Sequence, residues 1–344
     1  MPRHRPAAWR LKNYVTASRR SVASVAALLL IGNAPVRSGK VALTFDDVPV
    51  FGALASAADG AVVTDQLLSG FIRHRWRVTG FVNEIQLEGP DKPQRTLLLA
   101  RWLNAGMDLG NHTYSHASLD TTPADAYVAD IVRDETETGR LLSARGRHEQ
   151  WFRYPYLETG QTRASHDRVV GWLAEHHYRV APVTMENSDW QFSAPYDDAV
   201  ARGATAEAIH IREQYLTFTR AIVDWYVSAG TTLFGREPAF VFLLHASRLN
   251  AASIDGLATI LRHAGLQVVP LSVAMHDPAY RTADHYIGPD GNEWLERWAS
   301  TLHRDLPFDA MPTVPPEIVQ SDARLEAAAD PHTASSALRQ SEAN

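Results

Sequence analysis

Asp46 and Asp47 stand side by side after the apolar run 41–45, and His112 and His116 bracket the string His-Thr-Tyr-Ser-His. Neighbouring carboxylates repel one another unless a cation or an arginine separates their roles. Two histidines four residues apart share one face of a helical turn, where both imidazoles can chelate a single metal ion. Taken alone, the aspartate pair reads as a turn capping the next helix, and the histidine spacing arises often by chance. Taken together they offer a His-His-Asp donor set. Three protein ligands leave coordination positions open for water and a substrate, the arrangement of a catalytic site and not of a closed structural one. The chain has no cysteine, so thiolate catalysis and cysteine metal sites are excluded.

Residues this far apart need a scaffold that brings them together. Short apolar or β-branched runs at 41–45, 80–83, 107–110, 151–154, 180–184, 240–244 and 266–270 read as strands buried on both faces. Helix-like stretches separate them, such as 122–142, which opens on Thr121, Thr122 and Pro123 and stops near Gly146. Seven strands alternating with helices predict a parallel α/β barrel. Polar residues collect where these strands end: Asp46 and Asp47, Asn83 and Glu84, Asn111 with His112 and His116, Arg153 and Tyr156, Glu186 and Asp189, and His245. In α/β barrels the carboxyl ends of the strands converge on one face, so these groups are expected to meet in one cleft.

The 344 residues carry a formal charge of −6, unevenly spread. Residues 1–34 hold six basic side chains (Arg3, Arg5, Arg10, Lys12, Arg19 and Arg20) and no acidic one. The rest therefore carries 27 basic against 39 acidic residues, a net of −12. So acidic a body argues against a nucleic-acid partner, which requires a basic face. Arg19 and Arg20 precede a short apolar stretch, 22–31, and then Gly32 and Ala34. That order predicts an export signal of the twin-arginine kind, hence a periplasmic or extracellular protein, cytoplasmic if the segment is not a signal. The apolar part is too short for stable membrane insertion. Residues 191–238 are expected to form a helical insertion in a barrel spanning 39–300. The Ala-, Ser-, Asp- and Glu-rich tail 312–344 is expected to be disordered. Nothing in the sequence speaks to oligomeric state.

Five ordered strings make the chain resemble the NodB-like polysaccharide deacetylases (carbohydrate esterase family four) over roughly 39–275. They are Thr44-Phe45-Asp46-Asp47, His112-Thr113-Tyr114-Ser115-His116, Arg153-Tyr154-Pro155-Tyr156, Ser188-Asp189-Trp190 and Leu243-Leu244-His245. The resemblance implies a distorted (β/α)7-type barrel in a single domain, acting on an acetylated carbohydrate. It implies that Asp47, His112 and His116 hold a divalent metal, zinc first, with cobalt, manganese, nickel or iron also acceptable to such a donor set. By the same resemblance Asp46 is the general base oriented by Arg153. His245 is the general acid, its pKa raised by Asp189. Tyr156 supplies a backbone N–H to the oxyanion, and Trp190 and Leu243 line the pocket for the acetyl methyl. The implied activity is removal of N-acetyl groups from an amino-sugar polymer or oligomer. An O-acetyl esterase acting on xylan, a small-amide hydrolase with the same site and a catalytically silent carbohydrate-binding barrel are the alternatives. Two positions depart from the family's pattern: Val48 and Leu157 stand where glycine is common.

Overall fold

The computed structural model describes residues 39–52, 56–289 and 291–329. The expected export segment, 1–34, lies outside the described residues. Eight parallel strands alternate with helices: β1 Gly39–Val48, α1 Ala57–His74, β2 Thr79–Val82, α2 Lys92–Asn104, β3 Asp108–Asn111, α3 Ala124–Arg133, α4 Glu137–Ser143, β4 Trp151–Phe152, α5 Arg163–Glu175, β5 Arg179–Val180, β6 Met185–Glu186, α6 Asp189–Ala201, α7 Thr205–Phe234, β7 Phe240–His245, α8 Arg248–His263, β8 Leu266–Val268, α9 Leu271–Ala274, α10 Trp294–Thr301 and α11 Pro316–Ala329. The strand order is β5-β4-β3-β2-β1-β7-β6, with β8 pairing the start of β1. β5 and β6 belong to one bent segment. Ala181 N–H donates to Phe152 O at 2.8 Å, and Thr184 N–H donates to Val241 O at 3.0 Å. The expected fifth strand is thus split, its first half on β4 and its second on β7, and it joins the two ends of a distorted (β/α)7-type barrel.

Alternation along β1 separates two cores. Val41, Leu43 and Phe45 face the helices, where Phe45 packs 4.9 Å from Phe71 of α1 and 6.2 Å from Trp102 of α2. Ala42 faces the lumen with Phe81, Trp151, Ala181, Val241 and Val269, and Leu271 and Ala274 of α9 pack against this group. These residues fill the barrel, as they must, because an empty lumen would forfeit their contacts. Helix starts follow local chemistry. Ser56, Thr162 and Ser247 each accept a backbone N–H from the first turn of α1, α5 and α8.

Two expectations change. The stretch 122–142 is two helices, α3 and α4, because the chain is diverted at Asp134. Its carboxylate accepts backbone N–H groups from Glu84 and His112, and Glu84 in turn caps α4 through the N–H groups of Glu137 and Thr138. Within 191–238 lie most of α6 and all of α7, and α7 ends at Gly235 in the left-handed region (φ 68°). The tail is not disordered from 312 onward: 316–329 is α11, packed on α6 through buried Ile318 and Asp322. A segment rich in Ala, with Glu and Leu, is also rich in strong helix formers, and its buried positions four apart face α6.

Candidate active site

β1 and β7 pair in parallel with Asp46 opposite His245, so the strand register itself sets two chemical groups side by side. Past Asp46 the strand turns sharply. Asp47 has φ 59°, which sends its carboxylate away from its neighbour's surroundings. Asp46 is buried beside Arg153, whose Nη1 lies 3.3 Å from Asp46 Oδ2. Burial pushes the Asp46 carboxyl up to about 6, against the opposing pull of Arg153 and His245. Arg153 is itself fully buried. It is fixed by donation to Ala181 O (2.8 Å) and Thr44 Oγ1 (3.0 Å) and lies 4.7 Å over the Phe81 ring.

His112 follows β3, and His116 reaches back to it, but not on a helical turn as the spacing predicts. Thr113 and His116 both have positive φ, at 59° and 55°. The carbonyls of His112 and Thr113 accept from Asn83 Nδ2 at 2.6 and 2.9 Å, while Ser115 N–H donates to Asp130 Oδ2. Those tertiary partners replace the helical ladder and still bring the two rings to 4.9 Å. His116 Nε2 lies 3.6 Å and His112 Nε2 4.0 Å from Asp47 Oδ1, and one donor atom from each residue falls within 4.8 Å of the others. His112 Nδ1 lies 2.8 Å from Arg153 O, which assigns Nδ1 the proton and leaves Nε2 as a lone-pair donor. Burial and the neighbouring His116 hold the His112 pKa well below the usual imidazole range, so it stays neutral. One carboxylate and two neutral-capable imidazoles of this geometry fit a divalent transition ion.

On the other flank Asp189, the first residue of α6, accepts from both the ring and the backbone of His245. Oδ1 lies 2.7 Å from Nδ1, and Oδ2 accepts the His245 N–H at 2.7 Å. Burial lowers the His245 pKa, but Asp189 outweighs it and the ring is pushed up to about 9. Asn250 of α8 donates to Asp189 Oδ2 (2.5 Å) and to His245 O (2.8 Å), and Tyr215 of α7 donates to Asn250 Oδ1 (2.6 Å). The insertion helices therefore help to hold the imidazole. The Phe51 ring lies 4.6 Å from the His245 ring, tilted by 47°. Leu243 is half-buried two residues before His245, on the same face of β7, and Trp190 is half-buried next to Asp189. Tyr156 sits in a 3-10 turn after β4 with φ 56° and ψ 10°, its ring 4.4 Å from His116. Leu157 follows with φ 58°, a left-handed position of the kind that suits the glycine common there in the family.

Asp134, Asn250 and Phe51 also support this site and were not singled out from the sequence. Only Asn250, five residues beyond His245 at a capped helix start, carried a local signal.

The fold and the donor set define a parallel α/β barrel with a candidate hydrolytic metal centre at the carboxyl ends of its strands. Residues 33–178 match the family model described as polysaccharide deacetylase. A peptidoglycan-N-acetylglucosamine deacetylase of Bacillus cereus is 27% identical over 157 residues, 46% of this chain and 48% of that protein. A chitin deacetylase of Arthroderma benhamiae is 25% identical over 158 residues, 46% of this chain and 37% of that protein. The matched region thus spans about half or less of the curated relatives. The crystallised chitin deacetylase of Colletotrichum lindemuthianum shares the fold, with a TM-score of 0.50 and 21% identity over 71% of this chain and 90% of that one. The family match ends before Asp189 and His245, so their place in the site rests on the geometry above.

Proposed function

We propose that this protein is a divalent-metal-dependent deacetylase that hydrolyses N-acetyl groups of an amino-sugar polymer or oligomer, with zinc as its ion. One observation carries the reading. Asp47, His112 and His116 gather their donor atoms within 4.8 Å, between the Asp46–Arg153 pair and the His245–Asp189 pair. The relatives named for peptidoglycan N-acetylglucosamine and for chitin support an acetylated amino sugar as substrate. When bound, the ion supplies Lewis-acid polarisation of the acyl carbonyl and of water. Asp46, oriented by Arg153, takes the proton of the attacking water. The Tyr156 backbone N–H stabilises the developing oxyanion. His245, kept protonated by Asp189, returns a proton to the departing amine. Leu243 and Trp190 receive the acetyl methyl. Export is part of the proposal, supported by the charge order of residues 1–34. Fusing those residues to a reporter active only outside the cytoplasm tests it.

Chelator-treated protein, with and without zinc, cobalt or manganese, tests the chemistry through acetate release from N-acetylglucosamine oligomers, acetylated xylan and small acetamides. Zinc-restored release from the amino-sugar oligomers is the expected outcome. Release from xylan alone would move the activity to ester cleavage. No release from any substrate, with metal bound, would sink the deacetylase reading.

A further inference from the structure

The 155–157 turn places two consecutive non-glycine residues, Tyr156 and Leu157, in the left-handed region. Such a pair is unfavourable for L-residues and persists only where neighbouring structure imposes it. What imposes it lies more than a hundred residues downstream, beyond the segment shared with the family model. Arg297 of α10 is buried to 1% exposure, and every nitrogen of its guanidinium has an acceptor. Nη2 donates to Leu157 O at 2.6 Å, Nη1 to Thr159 Oγ1 at 2.9 Å and Asp284 Oδ2 at 3.2 Å, and Nε to Asn292 O at 2.7 Å. The rings of Trp294 and Tyr286 lie 4.2 and 4.8 Å from its Cζ. A buried guanidinium is tolerated only when its planar fork is satisfied in this way, and a lysine offers no such fork. Ahead of it the chain lies flush on the same turn. A Cβ added to Gly291 would come within 1.6 Å of Tyr156 O.

The geometry points to Arg297 as a positioning residue, which with Gly291 locks the 155–157 turn so that the Tyr156 backbone N–H is held in one direction. Arg297 reaches the turn through the Leu157 carbonyl and acts through the backbone, not on the reacting atoms. The catalytic meaning of the lock rests on the deacetylase reading, whereas the lock itself does not. Two chain segments distant in sequence are thereby coupled: the motif that supplies the oxyanion donor and a C-terminal brace that fixes its conformation. Arg297 bonds Leu157, Thr159, Asp284 and Asn292 and not the metal donors, and the braced turn meets them only through the Tyr156 ring, 4.4 Å from His116.

The test compares wild type, Arg297→Met and Gly291→Ala as full chains reconstituted with zinc, by amide hydrogen exchange and by kinetics on an N-acetylglucosamine oligomer. In Arg297→Met, exchange should quicken in peptides covering 154–158 and stay unchanged in those covering 108–117, with zinc affinity unaltered. kcat should fall about tenfold to a hundredfold while KM holds, a smaller loss than the roughly 10²–10³-fold that removing an entire oxyanion donor brings. If Arg297→Met does not accumulate folded, Gly291→Ala, which keeps every anchor, should give the same split. Wild-type exchange at 154–158 with wild-type kcat overturns the inference. So does exchange that quickens uniformly with zinc affinity and kcat falling together, since that describes fold stability alone. An inactive wild type overturns the deacetylase reading and leaves exchange at 154–158 to decide the lock.

Discussion

Two adjacent aspartates do different work because the backbone parts them. Asp46 continues the strand into the lumen beside Arg153, whereas Asp47 turns with φ 59° toward the histidines. Replacing Asp46 by Asn keeps the shape and removes the proposed base. Activity should drop about 10²–10⁴-fold, the usual share of a general base, while zinc titration calorimetry gives wild-type affinity. Lost zinc binding in that variant would mean that Asp46 is a ligand. Asp189 does its work through another residue. His245 is raised to about 9, so in its proposed role as general acid it is protonated at neutral pH, and activity should decline as pH rises through about 9. In Asp189→Asn the imidazole loses the anion that most strongly opposes burial, leaving Asp47 and Asp46 as its remaining support, and its pKa falls toward the ordinary value of about 6.5. The alkaline limb of kcat/KM should move down by more than one unit in about the same sense, and a pH profile with an unmoved limb would remove His245 from the acid's role. The same linkage affects stability. The contribution of the charged pair is complete below about 6.5 and is lost as pH rises through about 9.

At the scale of elements, the metal loop is held from behind by Asp134, where α3 gives way to α4. Its two oxygens accept the N–H groups of Glu84 and His112 at 2.7 and 3.2 Å, bolting the ends of β2 and β3 together. Burial, with Glu149 and Glu84 nearby, raises its pKa well above the usual carboxylate range, so the bolt works in a low-dielectric pocket. Asp134→Ala strands two buried donors at a cost of about 1–3 kcal/mol each, and should also loosen the seat of His112. Urea unfolding should show the stability loss and zinc titration a weakened affinity. Intact affinity with lowered stability would confine Asp134 to the fold. This bolt also marks where sequence reading stops. The strand ends with Asp46, His112, Arg153 and His245 were legible because apolar runs and polar stops are local signals. The break between α3 and α4 was not, because Glu84 caps α4 from across the sheet. The turn at 112–116 was read as helical because its spacing fits a helix, and the Asn83 and Asp130 contacts that reshape it are tertiary. Docking of α11 was missed because composition reports solubility and not the partner surface that α6 provides.

For the whole molecule, the site is a property of barrel closure. Asp47 comes from β1, the two histidines from beyond β3 with β2 between them, and the acid from β7 on the other side of β1. A segment confined to 33–178 holds the metal donors but leaves the β7 edge of β1 open and lacks Asp189 and His245. An ion held by Asp47, His112 and His116 therefore spans strands that are not neighbours, and its binding free energy must appear as stability of the folded barrel, since the unfolded chain holds those donors far apart. Zinc at about 100 times its Kd should add about 2.7 kcal/mol, a rise of roughly 4 °C in Tm for a chain this long, given an unfolding entropy of about 2.1 cal/mol/K per residue. A chelator should reverse it. Asp47→Ala and His116→Ala should abolish the shift, whereas Asp46→Asn and Asp189→Asn should retain it, because neither residue belongs to the donor cluster. Differential scanning calorimetry on these five proteins separates the donor set from the groups that use it. A wild-type Tm indifferent to zinc would dissolve the cluster as a metal site, and a shift lost in Asp46→Asn would redraw its membership.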